Sequence, residues 1–302
     1  MRKKPLTLIF IFLILITLTF TNVNAENLKT LKIGVMPAVD SAPIFLAKQQ
    51  KYFEKEGLNL EVQVYTNATN RQSALQSGQL DGAMTDLIAF INNIENGFPV
   101  KITTSTDGSF PFLVRDGLNK NEEVKIGMME VSVTNFLTDR FLSDEYQIKK
   151  VFINEIPARI EMVKSQKLDM AIIPEPLAST AELNGLEKKV YKNKDDFMPE
   201  AMIFTENSLK KKYKEIKTFH KVYNKAVAEI NKDKSKASKA LIQALKLPEK
   251  LESMISLPVY HKTRVPDQNY MNKIINWMEE VDDIEVTTNY ENMVNKEFIY
   301  ND

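Results

Sequence analysis

Beyond its first 30 residues the chain opens on a short apolar run, Leu31-Lys-Ile-Gly-Val-Met-Pro37, whose length and closing proline predict a buried strand. A loop holding Pro37 and Pro43 leads into residues 44–53, where Phe45, Leu46, Gln49 and Phe53 recur at helical spacing. Gly57, after Glu54-Lys55-Glu56, ends that helix. In residues 58–65 the pattern changes to alternation, with Leu58, Leu60, Val62 and Val64 pointing inward between polar neighbours, which predicts a second strand. Residues 71–77 predict another helix and residues 80–85 a third short strand. Strand, helix, strand, helix, strand is half of an open α/β sheet, which holds ligands at the carboxyl ends of its strands.

The module occurs twice. Lys32-Ile33-Gly34 returns as Lys125-Ile126-Gly127, an offset of 93. Arg71, Ser77, Leu80, Asp81 and Ala83 return as Arg159, Ser165, Leu168, Asp169 and Ala171, each at an offset of 88. The strand at 62–65 falls on 150–153 at the same offset, and a loop can absorb the change between the two offsets. Two copies are too few for a solenoid and predict two similar α/β lobes. Between them, residues 102–112 are hydroxyl-rich, extended and free of helical pattern, as an interdomain crossing should be. Residues 198–205 offer a strand that carries the chain back to the first lobe. The rest is helical: residues 208–231 keep an apolar stripe from Tyr213 to Ile230, and helices at 237–247 and 268–281 follow, separated by Pro248, Pro258 and Pro266.

The first 25 residues have a different logic. Arg2, Lys3 and Lys4 precede an uncharged stretch over 6–20, and Val23-Asn24-Ala25 puts small residues before a cleavage point. This is the layout of a secretory leader, with an uncleaved anchor as the alternative. Its removal leaves 37 basic against 40 acidic residues, net −3. Such a balance carries no basic surplus for nucleic acid. The chain has no cysteine, so it forms no disulfide and cannot be acylated as a bacterial lipoprotein. An exported protein without that anchor is retained best by a periplasm. The lysine runs at 210–212 and 232–239 read as solvated helix faces. His220 and His261 lie in no spaced metal motif, no Gly-x-Ser-x-Gly elbow occurs, and no phosphate loop is present.

The segments 32–37, Ala42-Pro43-Ile-Phe-Leu-Ala47, Tyr52-Phe-Glu-Lys-Glu-Gly-Leu58, Ala74-Leu-Gln-Ser-Gly-Gln-Leu-Asp81 and Asp169-Met-Ala-Ile-Ile-Pro-Glu-Pro-Leu-Ala178 together resemble a known family. They are similar to the periplasmic binding proteins of ABC importers for nitrate, sulfonate, taurine and thiamine-pyrimidine precursors, over roughly residues 30–230. The resemblance implies an α/β, two-lobed type II clamshell, each lobe a mixed sheet flanked by helices, with extra C-terminal helices. The division would be a leader (1–25), lobe one (26–108 with 198–302) and lobe two (109–197). It further implies a monomer that captures a small solute without chemistry or cofactor and delivers it to a permease with a cytoplasmic ATPase. Enzymes share this architecture. Those that depend on a cysteine motif or a cysteine-bound cofactor are excluded by composition, and a menaquinone-pathway enzyme fits an export leader poorly. An effector domain of a regulator would need a helix-turn-helix where the leader stands.

The repeat then says which loops converge on one cleft. From lobe one these carry Asp40, Ser41, Thr66, Asn67, Thr85 and Asp86; from lobe two Ser132, Thr134, Asn154 and Glu175; Asp107 lies on the crossing. Ser41 and Thr134 sit where helix caps belong. Asp86 and Glu175 stand at corresponding strand ends; each is expected to contact ligand and to be replaceable without unfolding the chain, with a salt bridge to a Lys or Arg across the cleft as the alternative. Arg71 and Arg159 are the cations, as suited to a structural role as to a binding one. Phe110, Phe112 and Tyr65 could stack on a flat ring. With Glu130 and Glu155 nearby as well, so many acids favour a solute with amino groups, such as an aminopyrimidine, over a bare anion.

Overall fold

The computed structural model describes residues 28–115, 117–118, 123–281 and 283–299, so the expected leader lies outside the described residues. The strands are β1 (Lys29–Val35), β2 (Leu58–Val64), β3 (Gly82–Asp86), β4 (Val100–Ser105), β5 (Phe112–Val114), β6 (Glu123–Met128), β7 (Gln147–Phe152), β8 (Met170–Ile172), β9 (Glu187–Lys189) and β10 (Glu200–Thr205). They form two five-stranded sheets, β2-β1-β3-β10-β4 and β7-β6-β8-β5-β9. In each, three parallel strands are followed by an antiparallel one, β10 or β5. The helices are α1 (Ala42–Gln49), α2 (Tyr52–Lys55), α3 (Ala68–Gln76), α4 (Leu87–Glu95), α5 (Val133–Leu142), α6 (Ile156–Lys164), α7 (Leu177–Leu183), α8 (Glu206–Lys211), α9 (Tyr213–Lys232), α10 (Ser235–Leu245), α11 (Gln268–Val281) and α12 (Tyr290–Met293).

The sequence repeat has a concrete physical basis. Asp81 accepts the backbone N–H of Lys32 at 2.8 Å, and Asp169 accepts that of Lys125 at 2.7 Å. Each aspartate thus ties the start of the strand after it, β3 or β8, to the parallel strand beside it, β1 or β6. Gly34 and Gly127 complete the motif: a Cβ there would stand 2.6 Å from the Leu80 side chain and 2.5 Å from that of Leu168. The same two glycines sit under the stems of Arg71 and Arg159, whose Cγ atoms lie 3.1 and 3.4 Å from those positions. Only a hydrogen lets leucine and arginine cross the strand so closely.

The departures from the sequence reading are local. The helix expected over 44–53 is two helices, because Lys51 takes a left-handed backbone with φ 55°. The helix expected over 208–231 breaks at Lys212, whose ammonium leaves the solvated run to bond Asp81 at 2.7 Å and the Thr30 carbonyl at 3.1 Å. In β2 the inward alternation fades toward the end: Leu58 and Leu60 are buried, whereas Val64 is 40% exposed.

Residues 106–111 cross from β4 to β5, and the chain returns through the residues between β9 and β10. The largest difference from expectation lies in α11. Its Tyr270, Met271, Ile274, Trp277 and Met278 belong to one apolar cluster that takes in Leu87 and Ile91 of α4 beside the first sheet and Phe136 of α5 beside the second. Trp277 meets Phe136 edge-on at 5.5 Å, and its indole N–H donates to Asp139 at 2.9 Å. This helix packs on both halves instead of extending the first alone. Replacing Trp277 by Ala is expected to lower stability by roughly 3–5 kcal/mol, measurable by urea unfolding.

Candidate functional site

Where the carboxyl ends of the two parallel strand sets face each other, the structure forms a cavity of about 70 Å³. At roughly 10–15 Å³ per water, that is room for a handful of waters or one small polar group. The first sheet contributes Asp40, Arg71, Thr85, Asp86 and Glu200; the second contributes Ser132, Thr134 and Arg159; Phe110 enters from the crossing. Met36, Met84 and Met129 supply soft apolar wall.

The first-sheet wall is a buried charge cluster. Asp86 ends β3 and caps α4, accepting the Ala89 N–H at 2.8 Å, and the Val133 N–H of α5 reaches it from the other half. Arg71 donates to the Thr85 hydroxyl at 2.9 Å and faces Asp86, Asp40 and Glu200. Burial lifts the Asp40 carboxyl from 3.8 to about 6, with Arg71 opposing the rise. Burial likewise raises Asp86, and it drives Glu200 well above the ordinary range, with Asp40 and Asp86 adding to the effect. Burial also presses the Arg71 guanidinium downward, but the three acids around it resist.

The opposite wall offers donors. Ser132 caps α5 by accepting the Thr134 N–H at 3.1 Å, and its hydroxyl lies 2.6 Å from that of Thr134. Arg159 donates to the Ile172 carbonyl at 3.0 Å, and burial lowers it to about 10. The Nε atoms of both Arg71 and Arg159 are buried without a partner. Around the cavity the halves touch directly: the Val39 N–H donates to the Glu175 carbonyl at 2.9 Å, and Asn67 donates to Glu155.

Of the residues singled out from sequence, Asp40, Thr85, Asp86, Ser132 and Thr134 meet at this cavity. The others lie elsewhere. Ser41 is buried with its hydroxyl on the Met36 carbonyl, and it does not cap α1 through its side chain. Ser132, not Thr134, is the cap of α5. Thr66 and Asn154 are exposed, while Asn67 caps α3 and reaches Glu155. Asp107 accepts the His261 backbone N–H at 2.8 Å, with the His261 Nδ1 at 2.9 Å and Arg264 at 3.4 Å, and lines a second cavity of about 350 Å³. Glu175 departs furthest. It is 0% exposed, pairs with Lys188 at 2.9 Å, and accepts from Ser179 and from the Ser256 N–H, so it fastens the 254–256 turn to the second half. A carboxylate with four donors around it is a structural anchor. Phe112 is a core residue set edge-on to Tyr191, and Tyr65 does not line the cavity, which leaves Phe110 as its aromatic wall.

Sequence reasoning missed Glu200. It has no counterpart in the repeat, and only the antiparallel register of β10 with β3 sets it beside Asp86. The two histidines differ in setting, His261 bonding Asp107 beside the larger cavity and His220 lying in the core. His220 is fully buried between the Ile216 carbonyl and the Thr103 hydroxyl, and burial lowers it to about 4. Among the described residues no group of three or more His, Asp or Glu side chains could hold a metal ion.

A model of the NMT1-like family matches residues 24–245. The ligand-binding component of an ABC-type import system from Staphylococcus aureus, solved with zinc bound, superposes with a TM-score of 0.77 at 17% identity, over 89% of this chain and 97% of that one. The alkanesulfonate-binding protein SsuA of Xanthomonas axonopodis, bound to MOPS, gives 0.69 at 14% identity, over 84% and 93%. In sequence, 92 residues (30% of the chain) are 27% identical to the nitrate import ATP-binding protein NrtC of Synechococcus elongatus, and the chain spans 13% of that protein's length. The two-lobed fold is that of the periplasmic binding proteins.

Two outcomes follow from the buried carboxylates. Glu175→Ala leaves Lys188 with Glu182 alone and removes the acceptor of Ser179 and of the Ser256 N–H, and is expected to cost about 3 kcal/mol in urea unfolding, contrary to the tolerance expected from sequence. For Asp40, the unfolded chain loses the proton near pH 3.8 and the folded one near 6. This group's contribution therefore falls as pH rises across that window and stays low above it. Asp40→Asn is expected to stabilise the fold by up to about 3 kcal/mol more at pH 7.5 than at pH 4, measured by unfolding at both values.

Proposed function

The chain belongs to the NMT1-like family, and from that membership we propose that it is the solute-binding component of an ABC-type importer. The observation that carries this reading is the cavity between the carboxyl ends of two repeated sheets, walled on both sides by buried polar side chains. The import-system component and the sulfonate receptor named above share the fold and support the role. The proposed division is residues 26–108 with 198–302 as one lobe and 109–197 as the other. The leader-like first 25 residues support export to the periplasm, where a membrane permease with its cytoplasmic ATPase would take delivery.

The mechanism is capture without chemistry. A solute bonded to both walls adds contacts that exist only when the lobes are together, so it favours the closed arrangement by its differential affinity. The Asp86–Val133, Val39–Glu175 and Asn67–Glu155 contacts already bridge the lobes at the cavity rim and need only be reinforced. The solute is small and polar. Three acids on one wall support a solute with amino groups, of the aminopyrimidine kind, over nitrate or a simple sulfonate.

Native mass spectrometry of the protein purified from the periplasm is expected to show a retained small molecule. In a thermal-shift screen with taurine, alkanesulfonates, nitrate, aminopyrimidines and riboflavin, one class should raise the melting temperature by several degrees. Saturation at 100 times Kd adds about 2.7 kcal/mol. Conversion of the compound instead of its retention would overturn the reading in favour of an enzyme.

A further inference from the structure

Glu200 begins β10 and, through the register of β10 with β3, lies opposite Asp86 at the end of the first sheet. Three carboxylates, Asp40, Asp86 and Glu200, share that wall of the cavity with one guanidinium, Arg71. They are not equally provided for. Asp86 accepts two backbone N–H groups, and Asp40 accepts from Ser41. Glu200 is 8% exposed, and its Oε2 has no partner at all. That oxygen packs against Gly108 of the crossing segment, where a Cβ would stand 1.8 Å from it.

Everything that faces Glu200 bears on its charge. Asp40 before α1, Asp86 after β3 and Asp107 after β4 repel a carboxylate there, and Arg71 on α3 attracts it. Tyr223 of α9 and Tyr270 of α11 are within its field, and Arg159 of α6 stands across the cavity. One nearby cation against three acids does not hold a fourth charge in a space closed from water, so this carboxyl keeps its proton.

We propose that Glu200 determines the solute class: a solute with a cationic N–H group, such as a protonated amine or an amidinium, places that group on Glu200 and displaces the carboxyl proton. This rests on the reading of the chain as a solute receptor. In the exchange the O–H bond of Glu200 breaks and its proton leaves to solvent, while the carboxylate accepts an N–H hydrogen bond. Protein plus cation gives complex plus one proton. Affinity therefore rises with pH, approaching tenfold per unit while the site is still protonated. Arg159, Ser132 and Thr134 remain to receive an acceptor at the other end of the solute.

Isothermal titration calorimetry in two buffers of different ionisation enthalpy tests the exchange, with ethylammonium, guanidinium and acetamidinium chlorides as cationic probes and sodium methanesulfonate and nitrate as anions. The expected result is binding of at least one cation, release approaching one proton, and no binding of either anion. Glu200→Gln, a neutral isostere of the protonated acid, should keep the melting temperature, abolish the release and weaken cation binding at least about tenfold. Glu200→Asp should retain part of the release. Binding of an anion in place of the cations overturns this assignment and leaves the receptor reading standing. Cation binding without proton release, or undiminished in Glu200→Gln, overturns it as well. If none of the five probes binds, selection of small cations fails, and a molecule retained in native mass spectrometry decides the receptor reading separately.

Discussion

A guanidinium held among three carboxylates away from water is the constraint on which the first half of this molecule turns. Arg71 is 4% exposed and crosses its strand over Gly34, and it cannot relax toward solvent without dragging α3 off the sheet. Charge in such a place must be compensated within a few ångströms, and the acids that compensate it come from three separate elements. Asp40 precedes α1, Asp86 ends β3 and Glu200 begins β10. The second half repeats the buried arginine with one acid near it in place of three: Arg159 rests on the Ile172 carbonyl, Glu155 acts on it, and Ser132 and Thr134 share its wall of the cavity. A doubled fold thus presents two unlike walls, one negative and one rich in donors.

The two halves are joined by more than their crossings. Helix α11 lays Trp277 and Ile274 into a core shared by both, and the 254–256 turn is bonded to the second half by Glu175, Ser179 and Lys188. The Lys188–Glu175 pair is buried, with side chains 5% and 0% exposed; Lys188 also pairs with Glu182, and the two bond Ser179 and the backbone of that turn. Closure about the cavity is therefore limited by two tethers far from it in sequence. The rim contacts at Asp86, Val39 and Asn67 are fewer and lie directly at the cavity, as suits the contacts a solute would strengthen.

Much of the architecture was legible from sequence because its causes are local. Alternation in residues 58–65 and helical spacing in 44–53 report which face of each element meets the core. The paired Leu-Asp-x-Ala segments report the same aspartate-to-strand bond made twice. Five of the eleven candidate residues line the cavity, since equivalent loops must emerge at equivalent strand ends. Where the reading slipped within an element, a single backbone or side-chain event was responsible: the left-handed turn at Lys51, or the departure of Lys212 from its solvated run to reach Asp81.

The amino-acid sequence alone determined the doubled α/β plan, its internal symmetry in matched residues, and the strand ends from which a site could be built. Hydrophobic period and a repeated spacing of Arg, Leu, Asp and Ala are properties of neighbours along the chain. Only the tertiary structure decided that Glu200 completes the acidic wall and that Glu175 is an anchor. The first depends on β10 returning antiparallel beside β3, the second on β9 bringing Lys188 to β8 through β5. Which carboxylate is paired and which is left facing a cavity is a matter of distances between segments far apart in the chain, and no period within a segment encodes it.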